Sequence, residues 1–490
     1  MNKAKFLKIT MTYFLGNILT KILTFLLIPI YTKYLSTEMF GYYDLSVSVI
    51  TLVIPIIFFQ IWDGMFRFIY DYKEQKDKQK IITNGMLISL VGCVLYAIGI
   101  IGTQIITNKI NYGLYIYFYG ISIGFQYIYG TIARTGQRNQ LYMVSGVINT
   151  CINLMCNIVL ITVFKLGIVS LYISQILGNF VQIIIIEYKL KIGRKIKFQD
   201  LSKNLMKEMI LFSMPIAITT ISTWLLTGYA RVIISAKLGM NYNGIFAIAT
   251  RFSTVITLVV SVLQMSWQEL SYSIVTNNNK NRYYENGLQR FYNMITCGTI
   301  LVMSITQVIF DYFVSNEYQQ AKEIMPIVYL YTAFNAFAGF LSTQFLAEKN
   351  SKVTFYSVLI SALTNIVIIQ LLINKYELLG VTISLLISFA LNMIIRMYLL
   401  YKKYKISLKK KYILFSILII AIYMLIYYTN IKLINLISFL IAGVIASFIF
   451  RRDIKEILLK ITKIVKGKLI VWYLKKYIMF GLVEILKVKI

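Results

Sequence analysis

Histidine is absent from this 490-residue sequence, and cysteine and proline occur only four times each. Without histidine, the chain lacks the side chain most often used for general acid–base catalysis. The cysteines all lie in apolar stretches and therefore imply no disulfide framework: Cys93, Cys151, Cys156 and Cys297. A glycine-rich Walker-type loop is also missing, which argues against ATP-driven activity by this chain alone. No cofactor or metal site is predicted.

Charged residues are scarce as well, at 14% of the sequence against 58% hydrophobic residues. A soluble domain could not cover so much apolar sequence, and a spanning helix needs roughly 20 mostly apolar residues. The sequence therefore predicts an all-α polytopic membrane protein with fourteen transmembrane helices. The predicted spans are 10–34, 42–69, 81–107, 113–133, 141–164, 166–188, 209–236, 243–268, 286–310, 323–347, 353–373, 379–401, 412–429 and 433–450.

The number of Lys and Arg residues alternates between high and low in successive segments that separate these spans. With a cytoplasmic N-terminus, seven Lys and Arg residues lie between spans six and seven, and eleven follow span fourteen. The outer segments carry one lysine each: Lys33, Lys109, Lys165, Lys237, Lys322, Lys375 and Lys432. Short loops with such a bias are typical of the cytoplasmic side. We therefore expect a multi-pass protein of the cell membrane with both termini in the cytoplasm.

The net charge of +31 is largely explained by these cytoplasmic segments, which anionic membrane lipids attract. No nucleic-acid recognition motif is present, so nucleic acid is not an expected partner. The tail, 451–490, has apolar residues at helical spacing with lysines on the other face. This pattern is typical of a helix that lies in the membrane interface. It predicts a surface anchor; the alternative is a docking site for partner enzymes.

Two similar segments follow spans one and seven. Leu35–Tyr43 and Leu238–Phe246 overlay with Gly41 opposite Gly244, and Leu166-Gly167 before span six resembles Leu379-Gly380 before span twelve. These matches predict two pseudo-repeated six-helix lobes around a central cavity, plus two extra C-terminal helices, an architecture that places a substrate site between the repeats. The expected division is 1–190 for the first lobe, 191–208 for a cytoplasmic linker, 209–401 for the second lobe, 412–450 for the extra helices and 451–490 for the tail.

Polar residues recur at three- and four-residue spacing on spans one, two, seven and eight. Side chains spaced in this way share one helix face, and a polar face is costly against lipid. We therefore expect these residues to line the cavity, with hydrogen bonds between helices as the alternative. The candidates are Asn17, Thr20, Thr24, Thr220, Thr223, Trp224, Thr227, Thr254, Thr257, Ser261 and Gln264. Trp224 is also a candidate for stacking on a sugar ring, unless it serves only in packing.

Charged residues inside spans are rare and usually functional. Lys21 and Arg251 are deep enough to be cavity cations, and Arg231 is either a third one or reaches the outer interface. Asp63 and Arg67 are spaced for an ion pair near the cytoplasmic mouth, which would be either structural or a gate. Arg396 is expected to extend its charge to the membrane interface.

The helix number, the repeat, the two Leu…Gly segments at 35–41 and 238–244, and a cationic interior resemble one family. It is the polysaccharide-transporter branch of the multidrug/oligosaccharidyl-lipid/polysaccharide exporter superfamily. The resemblance implies transport of undecaprenyl-pyrophosphate-linked oligosaccharide, the precursor of a surface polysaccharide, from the inner to the outer leaflet. In related lipid II flippases cations on the first and eighth helices line the cavity, and Lys21 and Arg251 match them by helix. Glycosyltransferases or a polymerase of the same pathway are the implied partners.

Two other functions fit parts of the sequence. A cation-coupled small-molecule exporter of the same superfamily would share the fold, but it usually carries a carboxylate in helix one, where span one has none. A membrane-embedded glycosyltransferase or polymerase normally needs a large outer loop with carboxylates or histidine, and the outer loops here are short. We therefore expect a transporter rather than an enzyme.

Overall fold

The computed structural model describes residues 25–71, 74–108, 110–136, 138–273, 280–348 and 350–451. Over these residues the chain is all-α, as predicted, with fifteen α-helices and no β-strand. The helices are α1 Ile28–Tyr34, α2 Thr37–Ile57, α3 Ile61–Asp71, α4 Gln75–Thr107, α5 Gly113–Thr135, α6 Asn139–Thr162, α7 Ile168–Leu190, α8 Lys203–Thr227, α9 Tyr229–Lys237, α10 Met240–Ser273, α11 Lys280–Phe313, α12 Ala321–Ala347, α13 Ser351–Tyr404, α14 Lys410–Tyr428 and α15 Lys432–Ile449. We call α1–α7 the N-terminal half and α8–α13 the C-terminal half.

Ten of the helices in the described residues are long and apolar enough to cross a membrane. The fold is therefore that of a polytopic membrane protein, as the hydropathy predicted. The count of fourteen spans is not confirmed, because most of span one is outside the described residues, α5 and α10 are not among the ten helices, and spans eleven and twelve are counted together in α13. The tail predicted to lie at the membrane surface, from 452 onwards, is outside the described residues.

The second predicted span is interrupted between α2 and α3. Pro55 lies in the last turn of α2, and Phe59 and Gln60 follow with positive φ angles of 52° and 46°. Proline removes a backbone donor and disturbs the preceding turn of a helix. The amide of Gln60 donates instead to the carbonyl oxygen of Pro55 at 2.7 Å, and the chain restarts as α3 at Ile61. The break turns the polar side chain of Gln60 toward the C-terminal half.

The seventh predicted span is divided at Gly228, between α8 and α9. The indole of Trp224 lies over this position, so that a methyl group at Gly228 would overlap the ring. The indole nitrogen donates to the carbonyl oxygen of Ser48 on α2 at 2.7 Å. This hydrogen bond of Trp224, next to the break, connects α8 to the N-terminal half.

The 54-residue helix α13 contains two legs rather than one continuous rod. Glu377 has a non-helical backbone, with φ 46° and ψ −128°. The hydroxyl of Ser384 donates to the carbonyl oxygen of Asn365 at 3.1 Å, whereas 19 residues of straight helix would separate them by about 28 Å. The chain therefore folds back on itself near Glu377, between the two spans predicted at 353–373 and 379–401.

Each half has a polar interior. In the N-terminal half, Asn149 donates to Asn179 at 3.1 Å and to Gln182 at 2.8 Å. In the C-terminal half, Arg396 is 3% exposed and donates to Ser357 Oγ at 2.8 Å, to the carbonyl oxygen of Ala338 at 2.6 Å and to Ser342 Oγ. The expectation that Arg396 reaches the interface was wrong, because neutral acceptors on neighbouring helices hold its guanidinium inside.

Candidate functional site

The two repeat glycines meet where α2 crosses α10. A methyl group at Gly41 would overlap the carbonyl oxygen of Met240, and one at Gly244 would overlap the carbonyl oxygen of Thr37. Only residues without a β-carbon allow two helix backbones to approach so closely. The sequence pattern had identified Gly41 and Gly244 as equivalent positions, and the structure shows that they also contact each other.

Hydrogen bonds reinforce this crossing. Asn243 is fully buried and donates from Nδ2 to the carbonyl oxygen of Gly41 at 2.7 Å. Beside it, the hydroxyl of Thr37 donates to Asn241 Oδ1 at 3.2 Å. The crossing lies at the end of the bundle that the charge pattern assigns to the outside. We call this group of contacts between α2 and α10 the outer crossing.

An ion pair joins the two halves next to the outer crossing. Arg231 on α9 donates from Nε to Asp44 Oδ2 on α2 at 2.6 Å. Its Nη1 donates to the carbonyl oxygen of Thr227 at 3.1 Å, and the guanidinium lies 5.5 Å from the ring centroid of Phe246. Arg231 was among the predicted residues and Asp44 was not, although a carboxylate in an apolar span is itself a signal of function.

Arg251 on α10 lies against aromatic rings. Its guanidinium carbon is 4.8 Å from the ring centroid of Phe40 and 5.1 Å from that of Tyr31. Both rings are buried, and contacts of this geometry stabilise a cation by about 0.5–2 kcal/mol. Among the residues that the structure describes, Arg251 forms no ion pair with a carboxylate. Its positive charge therefore lies against rings and is not neutralised by a carboxylate of the described residues.

The predicted polar face of α8 divides into two sets. Thr220 donates to Gln60 Oε1 at 2.8 Å, so it contacts the N-terminal half, as Trp224 does through Ser48. Thr219, Thr223 and Thr227 are exposed and lie four residues apart. The hydroxyl of each donates to the backbone carbonyl oxygen four residues earlier in the helix. We call Thr219, Thr223 and Thr227 the threonine stripe. Arg231 follows its last member by four residues. These hydroxyls keep acceptor lone pairs available to a ligand.

The end of this interface that the charge pattern assigns to the cytoplasm contains Asp63. Gln60 donates from Nε2 to Asp63 Oδ2 at 2.8 Å, so Thr220, Gln60 and Asp63 form a chain between α8 and α3. Phe68 and Phe212 pack edge to face nearby, with ring centroids 5.9 Å apart. An ion pair between Asp63 and Arg67 stays a prediction.

The other predicted residues have varied positions. On α10, Thr254 is exposed and Thr257 is half-buried, while the amide of Gln264 lies against Gly339 of α12. Several candidates lie outside the described residues: Asn17, Thr20, Lys21 and Thr24, together with the side chain of Ser261. No cluster of potential metal ligands occurs within the described part of the chain.

Comparison with solved structures defines the class of protein. Lipid II flippase MurJ, in an inward closed conformation, is similar with a TM-score of 0.70 and 18% identity over 90% of this chain and 99% of that chain. A multidrug resistance MATE family transporter of the MOP superfamily, facing inward, has a TM-score of 0.64 and 14% identity, with 78% and 96% of the two chains covered. A MOP superfamily transporter from Pyrococcus furiosus, described with a binding pocket of reverse polarity, has a TM-score of 0.58 and 13% identity over 80% and 94%. The chain therefore has the fold of MOP-superfamily transporters.

The sequence identifies the family. The family described as "Polysaccharide biosynthesis protein" matches residues 6–267, which is more than half of the chain. No curated protein matches the chain by sequence. The chain belongs to this polysaccharide biosynthesis family, and the family resemblance drawn from its helices and repeat is confirmed.

Proposed function

We propose that this protein flips undecaprenyl-pyrophosphate-linked oligosaccharide from the cytoplasmic to the outer leaflet of the cell membrane by alternating access. It acts as a transporter and not as an enzyme, with both termini in the cytoplasm. The two repeats, 1–190 and 209–401, are the moving lobes, joined by the linker 191–208. Helices at 412–450 and the tail 451–490 complete the chain. Family membership and the fold support this proposal.

The observation that carries the proposal is the position of Arg251. Arg251 lies in the eighth predicted span and packs on two aromatic rings. It has no carboxylate partner in the described residues, so its guanidinium is available to bind an anion. Phosphate oxygens form strong charge-assisted hydrogen bonds with arginine, and the low dielectric of the bilayer strengthens the attraction. A pyrophosphate headgroup supplies that anion, and Lys21 is proposed as a second contact from span one.

The rest of the headgroup needs polar, uncharged contacts. The exposed hydroxyls of the threonine stripe and of Thr254 accept hydrogen bonds from sugar hydroxyls, while their own protons are committed to the helix backbone. Trp224 is not proposed to stack on a sugar, since its indole is fastened to Ser48. The polar site and the apolar outer surfaces of the helices together match a sugar headgroup joined to a long lipid.

Transport in reconstituted vesicles tests the proposal. Purified protein and undecaprenyl-pyrophosphate-linked oligosaccharide are placed in the same vesicles, and an impermeant glycosidase then measures the fraction of sugar on each side. Wild-type protein should move the lipid between leaflets. Transport of a small cationic drug, with no movement of the lipid, would favour the exporter and contradict the proposal.

Variants of the two cations test the site. A charge-assisted contact contributes about 1.5–3 kcal/mol, so Arg251→Gln and Lys21→Gln should weaken substrate affinity about 10- to 150-fold, and Lys21→Arg should retain part of the transport. Lys165→Gln, in an exposed loop, is the matched control. Normal transport per folded molecule in both Gln variants would refute the binding role.

A further inference from the structure

We propose that Asp44 occupies, in this conformation, the place on Arg231 that a phosphate of the substrate takes during transport. The inference rests on the proposed function and gives the pyrophosphate a second contact besides Arg251. Asp44 is then a positioning residue: it holds the guanidinium until the phosphate replaces the carboxylate.

The geometry of the ion pair leaves room for this exchange. Asp44 contacts Arg231 through one carboxylate oxygen and the Nε atom, at 2.6 Å. Of the remaining donors, Nη1 donates to the carbonyl oxygen of Thr227 at 3.1 Å. A guanidinium has five N–H donors in a planar fork and binds phosphate best through two parallel hydrogen bonds. A phosphate can therefore make more contacts with Arg231 than Asp44 makes.

A ligand can also reach the pair. The side chains of Arg231 and Asp44 are 20% and 15% exposed, so neither is sealed inside a half. Arg231 follows Thr227 at the same four-residue spacing that separates the members of the threonine stripe. A headgroup bound along this face of α8 reaches Arg231 at its outer end.

The exchange connects ligand binding to the outer crossing. Asp44 comes three residues after Gly41 on α2, and Arg251 packs on Phe40, the residue before that glycine. Both cations therefore contact one segment of α2, 40–44. Replacing Asp44 by a phosphate removes an ion pair between the halves, and a ligand favours opening only through such a difference in contacts.

Binding of a short prenyl pyrophosphate measures the exchange. Farnesyl pyrophosphate is titrated against the purified full-length protein in lipid nanodiscs. Asp44→Asn removes the competing charge and keeps the shape, so affinity should rise by about 5- to 150-fold, the usual range of coupling between sites. Arg231→Gln added to this variant should abolish the gain. Asp311→Asn is the matched control, because Asp311 pairs with Lys322 and Lys432, neither of which belongs to the N-terminal half, and it should leave affinity unchanged.

Cross-linking gives an independent measurement with Asp44 intact. Cysteines replace Thr37 and Asn241, whose side chains are in hydrogen-bond contact at the outer crossing, after the four native cysteines are removed. Farnesyl pyrophosphate should lower the disulfide yield, whereas farnesol, which lacks the phosphates, should not.

Two results would overturn the inference. One is unchanged or weaker affinity in folded Asp44→Asn, which is the result expected of a purely structural ion pair. The other is a disulfide yield that farnesyl pyrophosphate does not alter. If wild-type protein still moves the lipid-linked oligosaccharide in vesicles, the exchange alone is wrong and the flippase function stands. Failure of wild-type transport contradicts the proposed function itself.

Discussion

Replacing Gly41 by alanine tests whether the outer crossing closes the proposed central cavity. In the present conformation the added methyl overlaps backbone atoms of Met240 and Gly244, which cannot rotate away as a side chain can. Overpacking of this kind typically costs about 1–3 kcal/mol. In a conformation with α2 and α10 apart, the methyl meets no obstacle, and alanine is the better helix former by about 1 kcal/mol. The helix preference acts equally in both conformations, so the substitution shifts the equilibrium toward the open state by the overpacking cost, about 1–3 kcal/mol.

The shift corresponds to about a 5- to 150-fold larger open population. It is measured as the rate at which an impermeant maleimide, applied outside, labels a cysteine placed at Thr227 in a cysteine-free background. Gly99→Ala on α4 is the matched control, since a methyl there meets nothing within 4 Å. An unchanged labelling rate in folded Gly41→Ala, measured beside its thermal unfolding curve, would refute the assignment of the crossing as the outer closure.

The remaining predictions concern topology and the buried charge. Cysteines in the predicted outer loops should react with an impermeant reagent outside, at Asn108, Asn316 and Asn430, while cysteines at Gln75, Asn278 and Ser407 should react only after the membrane is opened; reversed labelling at any well-expressed site would contradict the predicted orientation. Arg396→Met should lower the unfolding temperature, because the acceptors of a buried arginine lose charged hydrogen bonds that contribute about 1.5–3 kcal/mol each. An unchanged unfolding temperature would show that the network does not stabilise the C-terminal half.

Hydropathy and charge were sufficient to predict the helical membrane fold, because bilayer thickness sets the length of an apolar stretch. They could not show the backbone geometry of a break. Pro55 favours a kink in the second span, but hydropathy does not show that the helix ends at Ile57 and restarts at Ile61. The spans predicted at 353–373 and 379–401 do separate near Glu377, whose positive φ angle turns the chain inside α13.

The cations of the candidate site were selected by residue type, but their partners could not be predicted. Arg231 and Arg251 were candidates because a cation in an apolar span is costly. The partner of Arg231 comes from another helix 187 residues earlier, and no local spacing connects them. Arg396 was misjudged for the same reason, since its acceptors lie on other helices or on the opposite leg of α13. Pairing across helices is a property of packing, which the order of residues along one span does not contain.

The equivalent glycines of the two repeated segments lie at the centre of the proposed mechanism. Gly41 and Gly244 occupy equivalent positions in two similar sequence segments, and they meet where α2 crosses α10. The two cations differ in their contacts: Arg231 pairs with Asp44, whereas Arg251 lies against aromatic rings and has no carboxylate partner among the residues that the structure describes. In the proposed flippase cycle, one anionic ligand engages Arg251 first and competes for Arg231 afterwards. That order places headgroup binding before the loss of contacts at the outer crossing, as the proposed transport toward the outer leaflet requires.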